Sequence, residues 1–200
     1  MQDDIIKSVT INDFIESDPN GIISKECKET ILNVLAAQDV SYVYDEIKII
    51  NIHRSADGKI EPLRTNAIAS PGYPKVILEI NEAAFKGRSK EQIDLMFKSQ
   101  NYSIANSLEE AVIHESAHAK VIQGKTYARY EAIDEELKGS VFTKPIKNRE
   151  DNKSLKDLAG DISEYAQKDG LECIAESHVK LSRGEEIPNE LKVLHDQYIQ

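Results

Sequence analysis

The stretch His114-Glu115-Ser116-Ala117-His118 decides how the rest of this 200-residue chain is interpreted. On a helix, two histidines four residues apart stand one turn above the other, so both imidazoles can reach a single tetrahedral metal ion. The glutamate between them faces the open coordination position and can act there as a general base. This H-E-x-x-H spacing is typical of zinc-assisted hydrolysis.

The residues around the motif independently predict a helix over 107–122. Ser107 followed by Glu110 is a capping box, and it opens an apolar stripe at helical spacing. The stripe consists of Leu108, Ala111, Val112, Ala119 and Ile122. Glu115 falls in the middle of this stripe, where a carboxylate is costly unless a bound metal and its water compensate for the burial.

The composition predicts one acidic domain with its own core. Hydrophobic residues make up 40% of the 200 residues, which is enough to bury a core without disulfides. The 35 acidic and 25 basic residues give a net charge of -10. This charge opposes nucleic acid as a partner and is compatible with a protein or peptide substrate.

No signal peptide and no membrane-spanning stretch is expected from the sequence. We therefore expect a protein made in soluble form, without a membrane partner, that is cytoplasmic, virion-associated or exported by a non-classical route. Cys27 and Cys173 are expected to be reduced, because two cysteines do not form a disulfide framework. The oligomeric state stays open.

Hydrophobic periodicity and turn signals predict an α+β fold. A loosely attached polar lead-in (1–21) precedes a single domain (22–200). Within that domain, 22–124 holds the sheet and the active-site helix, and 125–200 is the helical part that supplies the third ligand. The predicted elements are a helix over 24–37, a strand over 42–52, antiparallel strands over 66–70 and 75–80, and helices over 90–98, 107–122, 130–138, 154–167, 171–182 and 189–198. Residues 139–153 are predicted to be a long loop, either a connector or a flap, and His53 a surface histidine.

A catalytic zinc ion needs a third protein ligand, and no third histidine follows the motif closely. A glutamate from a later helix is the other common solution. Glu172 lies at the margin of the apolar face of helix 171–182, whereas Glu176 lies farther round. We predict that Glu172 binds one Zn²⁺ per chain and that Glu176 accepts the spare N–H of a ligand histidine. His178, on the apolar face, is the rival ligand, and His195 is expected at the surface.

The set His114-Glu115-x-x-His118, Tyr165-Ala166 and Glu172-x-x-Ala175-Glu176 resembles the catalytic domain of anthrax-lethal-factor-type zinc metallopeptidases, which are gluzincins. It also resembles related zincin domains encoded in phages beside or within minor head proteins. The resemblance covers roughly residues 65–182. The chain departs from the family at Cys173, Ile174 and His178, where bulky aromatic residues are usual.

This resemblance implies a zincin-like fold, in which a small mixed or antiparallel sheet packs on the H-E-x-x-H helix and a mainly helical C-terminal half follows. It implies that Glu172 is the third zinc ligand and that Tyr165 steadies the oxyanion of the reaction. It also implies that strand 75–80 forms the upper rim of a substrate-binding cleft, with Val76, Ile77 and Leu78 as substrate-binding residues.

The leading hypothesis is a zinc-dependent peptidase in which Glu115 is the general base on a zinc-bound water and the Tyr165 hydroxyl stabilises the oxyanion. The alternative is a zinc-stabilised structural or assembly protein, for example a phage head-associated protein, with vestigial or no peptidase activity. His178 as a fourth ligand would favour that alternative, because structural zinc sites are closed by four protein ligands. An effector toxin would use the same chemistry as the peptidase and differ only in its biological context.

Overall fold

The computed structural model describes residues 11–51, 61–100, 103–147 and 149–199, and it has a mixed α+β fold. The strands are β1 (Glu46–Ile50), β2 (Leu63–Ile68) and β3 (Lys75–Asn81). The helices are α1 (Ile11–Ser17), α2 (Lys25–Ala37), α3 (Glu82–Phe85), α4 (Lys90–Lys98), α5 (Leu108–Ile122), α6 (Tyr127–Lys138), α7 (Ser140–Thr143), α8 (Leu155–Ala159), α9 (Gly170–Ser182) and α10 (Asn189–Tyr198), with a 3₁₀ turn at Tyr165–Gln167. None of the described helices combines the length and the apolar character needed to cross a membrane.

The strands form one mixed sheet in the order β1-β3-β2. β1 runs parallel to β3, and β2 runs antiparallel to it, so that Thr65 of β2 lies opposite Leu78. The predicted antiparallel pair is therefore confirmed. Its connecting turn includes Gly72, whose φ of 89° lies in the left-handed region that glycine tolerates.

β3 is the central strand of this sheet, and Val76, Ile77 and Leu78 are buried in it. A strand paired on both sides has no free backbone edge to offer a ligand. The expectation that strand 75–80 forms the rim of the cleft is therefore wrong. Of the described strands, β2 is the one that lies beside the H-E-x-x-H helix.

The H-E-x-x-H helix α5 has the predicted bounds, and the Ser107 hydroxyl caps it by accepting the Glu110 N–H at 3.3 Å. The Glu110 carboxylate does not complete the capping box on Ser107. It accepts the N–H of Asn106 instead and pairs with Arg183. α5 packs on α2, β2 and α9, so the sheet and the later helices meet on it.

Two hydrophobic clusters meet at α5. The first joins the sheet to α1, α2, α4 and α5 and includes Leu108, Val112 and Ile122. The second joins the helices from α6 to α10 and includes Val121 of α5. A single helix therefore supplies apolar side chains to both cores, which places the H-E-x-x-H residues where the two clusters adjoin.

The lead-in is anchored from residue 11 onward, and the expected loose attachment is wrong for residues 11–21. Phe14 of α1 is 0% exposed and belongs to the first cluster. The Asp18 carboxylate accepts the N–H groups of Ile22 and Ile23 at 2.6 and 2.9 Å and pairs with Lys28 at 2.8 Å. The Asp18 side chain therefore ties the end of α1 to the start of α2.

Two further segments differ from their predictions. The helix predicted over 154–167 ends at Ala159, and a separate 3₁₀ turn begins at Tyr165. Residues 139–153 contain α7, whose Phe142 is buried, and Pro145 forms a β-bridge with Ser154. The long-loop prediction is wrong for this reason. His53 and the end of the strand predicted over 42–52 lie outside the described residues.

Candidate metal centre

His114 and His118 of α5 converge with Glu172 of α9 on one point. The Nε2 atoms of the two histidines lie 3.2 Å apart, and Glu172 Oε2 lies 3.1 Å from His114 Nε2 and 3.4 Å from His118 Nε2. No other group of three or more His, Cys, Asp or Glu side chains in the described part of the chain is arranged to hold a metal ion.

These distances fit a tetrahedral metal ion. A zinc ion bound at 2.0–2.2 Å by each ligand in tetrahedral geometry separates the ligand atoms by about 3.3 to 3.6 Å. Burial disfavours a charged imidazole, but Glu172 and Glu176 outweigh it and raise the pKa of His114 well above its ordinary value. Burial likewise opposes the charge of Glu172, yet the two histidines hold the pKa of this carboxyl well below its usual range. The carboxylate is therefore charged and attracts a cation.

Glu172 reaches this point because α9 begins two residues before it. The Asp169 side chain caps α9 by accepting the Glu172 N–H at 3.0 Å. At Gly170, a Cβ atom would lie 2.9 Å from Leu137 Cβ, so only glycine lets α9 pack this closely on α6. Lys168, which the sequence analysis missed, donates to Glu172 Oε1 at 3.1 Å. Its i,i+4 spacing to Glu172 is the signal that could have identified it.

Glu176 is 0% exposed and collects donors from three segments of the chain. Its Oε1 lies 3.1 Å from His114 Nδ1 and accepts the Ser103 hydroxyl at 2.7 Å. Its Oε2 accepts the Ile104 N–H at 2.9 Å and the Ser163 hydroxyl at 2.7 Å. Because a carboxylate only accepts, Glu176 keeps a proton on His114 Nδ1 and turns Nε2 toward Glu172 and His118, where Nε2 would bind a metal once it has lost its own proton. The sequence analysis missed both serines.

Glu115 is buried beside β2. Its Oε2 accepts the backbone N–H of Thr65 at 2.6 Å, and its own carbonyl accepts the hydroxyls of Thr65 and Tyr44, each at 3.1 Å. The sequence analysis expected a metal and its water to compensate for this buried carboxylate. The backbone N–H of Thr65 already compensates for the buried charge by hydrogen-bonding the carboxylate. The Glu115 side chain lines the same cavity as the metal ligands.

Tyr165 begins the 3₁₀ turn before α9, and its ring centroid lies 5.9 Å from that of His114. Burial, followed by the charge of Glu172, raises the pKa of Tyr165 above its ordinary value. The phenol is therefore protonated and can act as a hydrogen-bond donor. The 3₁₀ turn is held in place by Ser163, whose hydroxyl oxygen accepts the Ala166 N–H at 2.9 Å.

A cavity of 440 Å³ opens at these residues. His114, His118, Glu115, Glu172 and Tyr165 all line it. A second cavity of 60 Å³ shares His114, Glu115 and Tyr165 with the first, and its lining combines apolar side chains such as Phe97 with polar ones such as Ser103. Val76, Ile77 and Leu78 line neither cavity, and nor does any described residue of 139–153.

His178 lies apart from this centre. Its Nδ1 lies 2.9 Å from His195 Nε2, its Nε2 lies 3.0 Å from Gln38 Oε1, and the two histidine rings stack with centroids 5.2 Å apart. His195 is 7% exposed, so its expected surface position is wrong. The rival ligand of the sequence analysis is thus part of a hydrogen-bonded contact between α2, α9 and α10.

This histidine pair makes the stability of the protein depend on pH. Burial, with a smaller effect of Lys120, lowers the pKa of His178 to about 3. The unfolded chain, with a His pKa of about 6.5, binds the proton more readily below that pH. The His178 contribution to stability is therefore present above about pH 6.5 and falls by up to ~1.4 kcal/mol per pH unit as the pH drops toward 3.

We expect His178→Gln to lose this part of the acid sensitivity, because glutamine does not titrate and can still hydrogen-bond Gln38. Urea unfolding at about pH 7.5, 6 and 4.5 measures the difference in free energy between wild type and variant. The difference should shrink as the pH falls. If the difference stays constant over this range, His178 does not cause the loss of stability at low pH.

Comparison of the chain with protein-family models, with curated proteins and with solved structures found no match. The function is therefore inferred from the residues of the centre and their geometry. Such an inference rests on which groups converge and what chemistry they allow, and a general α+β architecture adds nothing to it.

Proposed function

We propose that this chain is a zinc-dependent peptidase with a zincin-like domain, similar in its chemistry to lethal-factor-type metallopeptidases. His114, His118 and Glu172 would hold one Zn²⁺ per chain. The observation that carries the proposal is that the two Nε2 atoms and Glu172 Oε2 lie 3.1 to 3.4 Å from one another. The carboxylate of Glu115 and the phenol of Tyr165 line the same cavity, which a metal site alone would not require.

A zinc ion held there would supply Lewis acidity, which polarises a peptide carbonyl and makes a nearby water a better nucleophile. Glu115 would take the proton of the attacking water. Its Oε2 is held by the Thr65 N–H, so Oε1 is the oxygen that would receive the proton. As the C–N bond breaks, Glu115 would pass the same proton to the leaving amine.

Tyr165 would donate its hydroxyl proton in a hydrogen bond to the oxyanion that develops on the carbonyl oxygen. Its raised pKa supports this role, because an ionised phenolate could not donate. The substrate would be a protein or peptide, and β2 lies beside the centre, where an extended segment could run along its outer edge. Binding of nucleic acid or membranes is not part of the proposal.

The peptidase proposal is preferred to a zinc-stabilised structural or assembly protein. A structural site needs a fourth protein ligand. His178, the candidate for that position, is bonded to His195 and Gln38 instead. A purely structural site would also have no use for Glu115 and Tyr165 at the cavity. The effector-toxin hypothesis shares the peptidase chemistry and is addressed only by finding the substrate.

Zinc content and peptide cleavage, measured on the same preparations, test the proposal. We expect one Zn²⁺ per chain in the wild type by elemental analysis and a zinc content near zero in Glu172→Ala at equal protein concentration. Glu131→Ala, which shortens an exposed glutamate of α6, is the matched control and should keep its zinc. Undiminished zinc binding in Glu172→Ala would overturn the ligand set. If the protein binds zinc but cleaves neither an unfolded protein nor a mixed peptide library, the proposal that it is a peptidase is overturned.

A further inference from the structure

Lys168 stands against the side of Glu172 that faces away from the two histidines. Its Nζ lies 3.1 Å from Glu172 Oε1 and 3.4 Å from the hydroxyl oxygen of Tyr165, and it sits 4.9 Å from the centre of the Tyr165 ring. Lys168 also lines the 440 Å³ cavity. One ammonium group therefore contacts both the proposed third ligand and the proposed oxyanion donor.

The two oxygens of Glu172 thus have different partners. Oε2 faces His114 Nε2 and His118 Nε2, whereas Oε1 accepts from Lys168. A lysine side chain is an ammonium at neutral pH, and an ammonium only donates hydrogen bonds. A carboxylate oxygen that accepts an ammonium N–H shares its electron density with that donor, so a metal would bind in preference through the other oxygen.

We propose that Lys168 is a positioning residue that keeps Glu172 a one-oxygen ligand and holds Tyr165 beside it. This inference rests on the proposed metal centre. Catalytic zinc sites bind three protein ligands and leave further coordination positions to water and substrate. A carboxylate that bound through both oxygens would occupy such a position. Lys168 would therefore preserve the space in which the reaction takes place.

Removing the ammonium should have two opposite effects. In Lys168→Met, Zn²⁺ should bind about tenfold more tightly, because a nearby positive charge is lost and the second oxygen of Glu172 becomes available. Turnover should fall about 10- to 100-fold, because a coordination position is filled and Tyr165 loses a contact. A variant that merely damaged the fold would lower both quantities, so the direction of the affinity change identifies a positioning role.

The experiment uses the 200-residue chain and three variants of it. Lys168→Met removes the contact, Lys168→Arg retains a charged donor, and Lys138→Met removes an equal charge from the same cavity, where it pairs with Asp134 and not with Glu172. Zn²⁺ affinity is measured by competition with a chromophoric chelator. The visible absorption of the Co²⁺-loaded protein reports the coordination number, because these bands weaken when a four-coordinate ion gains a ligand. Turnover is measured on a cleaved peptide.

We expect a weaker Co²⁺ spectrum and tighter Zn²⁺ binding in Lys168→Met alone, with Lys168→Arg close to wild type. The inference is overturned if Lys168→Met has the spectrum and affinity of Lys138→Met, or if its affinity falls. The metal measurements need no peptidase activity. A wild type that binds metal but cleaves nothing would therefore refute the proposed function, while the Lys168 inference would still be decided by the two metal measurements.

Discussion

Glu115→Gln is expected to abolish peptide hydrolysis while leaving one zinc ion per chain. The amide cannot accept the proton of the attacking water, and the loss of a general base typically lowers turnover by 10²- to 10⁴-fold. The amide oxygen can still accept the Thr65 N–H that now holds Glu115 Oε2 at 2.6 Å. Loss of activity would therefore not reflect loss of the fold.

Turnover, zinc content and the free energy of unfolding should be measured together for this variant. Glu109→Gln is the matched control, because Glu109 lies on the same helix α5 but pairs with Lys90 at 2.9 Å. It should cleave like the wild type. If Glu115→Gln cleaves as fast as the wild type with equal zinc content, Glu115 is not the base and the mechanism fails.

Glu176→Ala should be the most destabilising substitution in the centre. It leaves four donors without their acceptor: the hydroxyls of Ser103 and Ser163, the N–H of Ile104 and the Nδ1–H of His114. Removing one partner from a buried charged contact typically costs 3–5 kcal/mol, so we expect a loss of about that size in the free energy of unfolding. Zinc affinity should also fall about 10- to 100-fold, because His114 loses the group that orients its ring.

Urea unfolding of the metal-free protein separates these two effects, because zinc then adds nothing to the measured stability. Glu176→Gln is the informative comparison. Its amide oxygen can satisfy the donors on one side of the former carboxylate, while its NH₂ group meets donors on the other, so an intermediate loss is expected. A loss below about 1 kcal/mol in Glu176→Ala would mean that water replaces the missing acceptor.

The sequence predicted best what is encoded locally. Helix α5 could be predicted because its cap and its apolar stripe lie within sixteen residues, from Ser107 to Ile122. The hairpin of β2 and β3 and the helices α2, α4 and α10 depend on similarly short-range patterns. The grouping of Glu172 with the two histidines could be anticipated because helical spacing placed Glu172 at the edge of an apolar face.

What could not be predicted depends on contacts distant in sequence. Thr65 meets Glu115 across 50 residues and Ser103 meets Glu176 across 73, and no local pattern marks either pair. His178 was considered a rival ligand because its partners, Gln38 and His195, lie 140 and 17 residues away. Helical periodicity also continues through 154–167, although α8 ends at Ala159, before Gly160, and the Ser163 hydroxyl accepts the Ala166 N–H of the separate 3₁₀ turn.

The position of α5 between two hydrophobic clusters has a consequence for dissecting the chain. A cut at the turn of Gly124, between α5 and α6, would give a front fragment that keeps the two histidines and a rear fragment that keeps Glu172 and Tyr165. Each fragment would expose apolar surface that the other normally covers. Val121 packs in the second hydrophobic cluster, with the helices after the cut, whereas its neighbour Ile122 packs in the first cluster, with the sheet before it. Metal binding would then report fragment complementation, since the three ligands come together only when the two pieces reassociate.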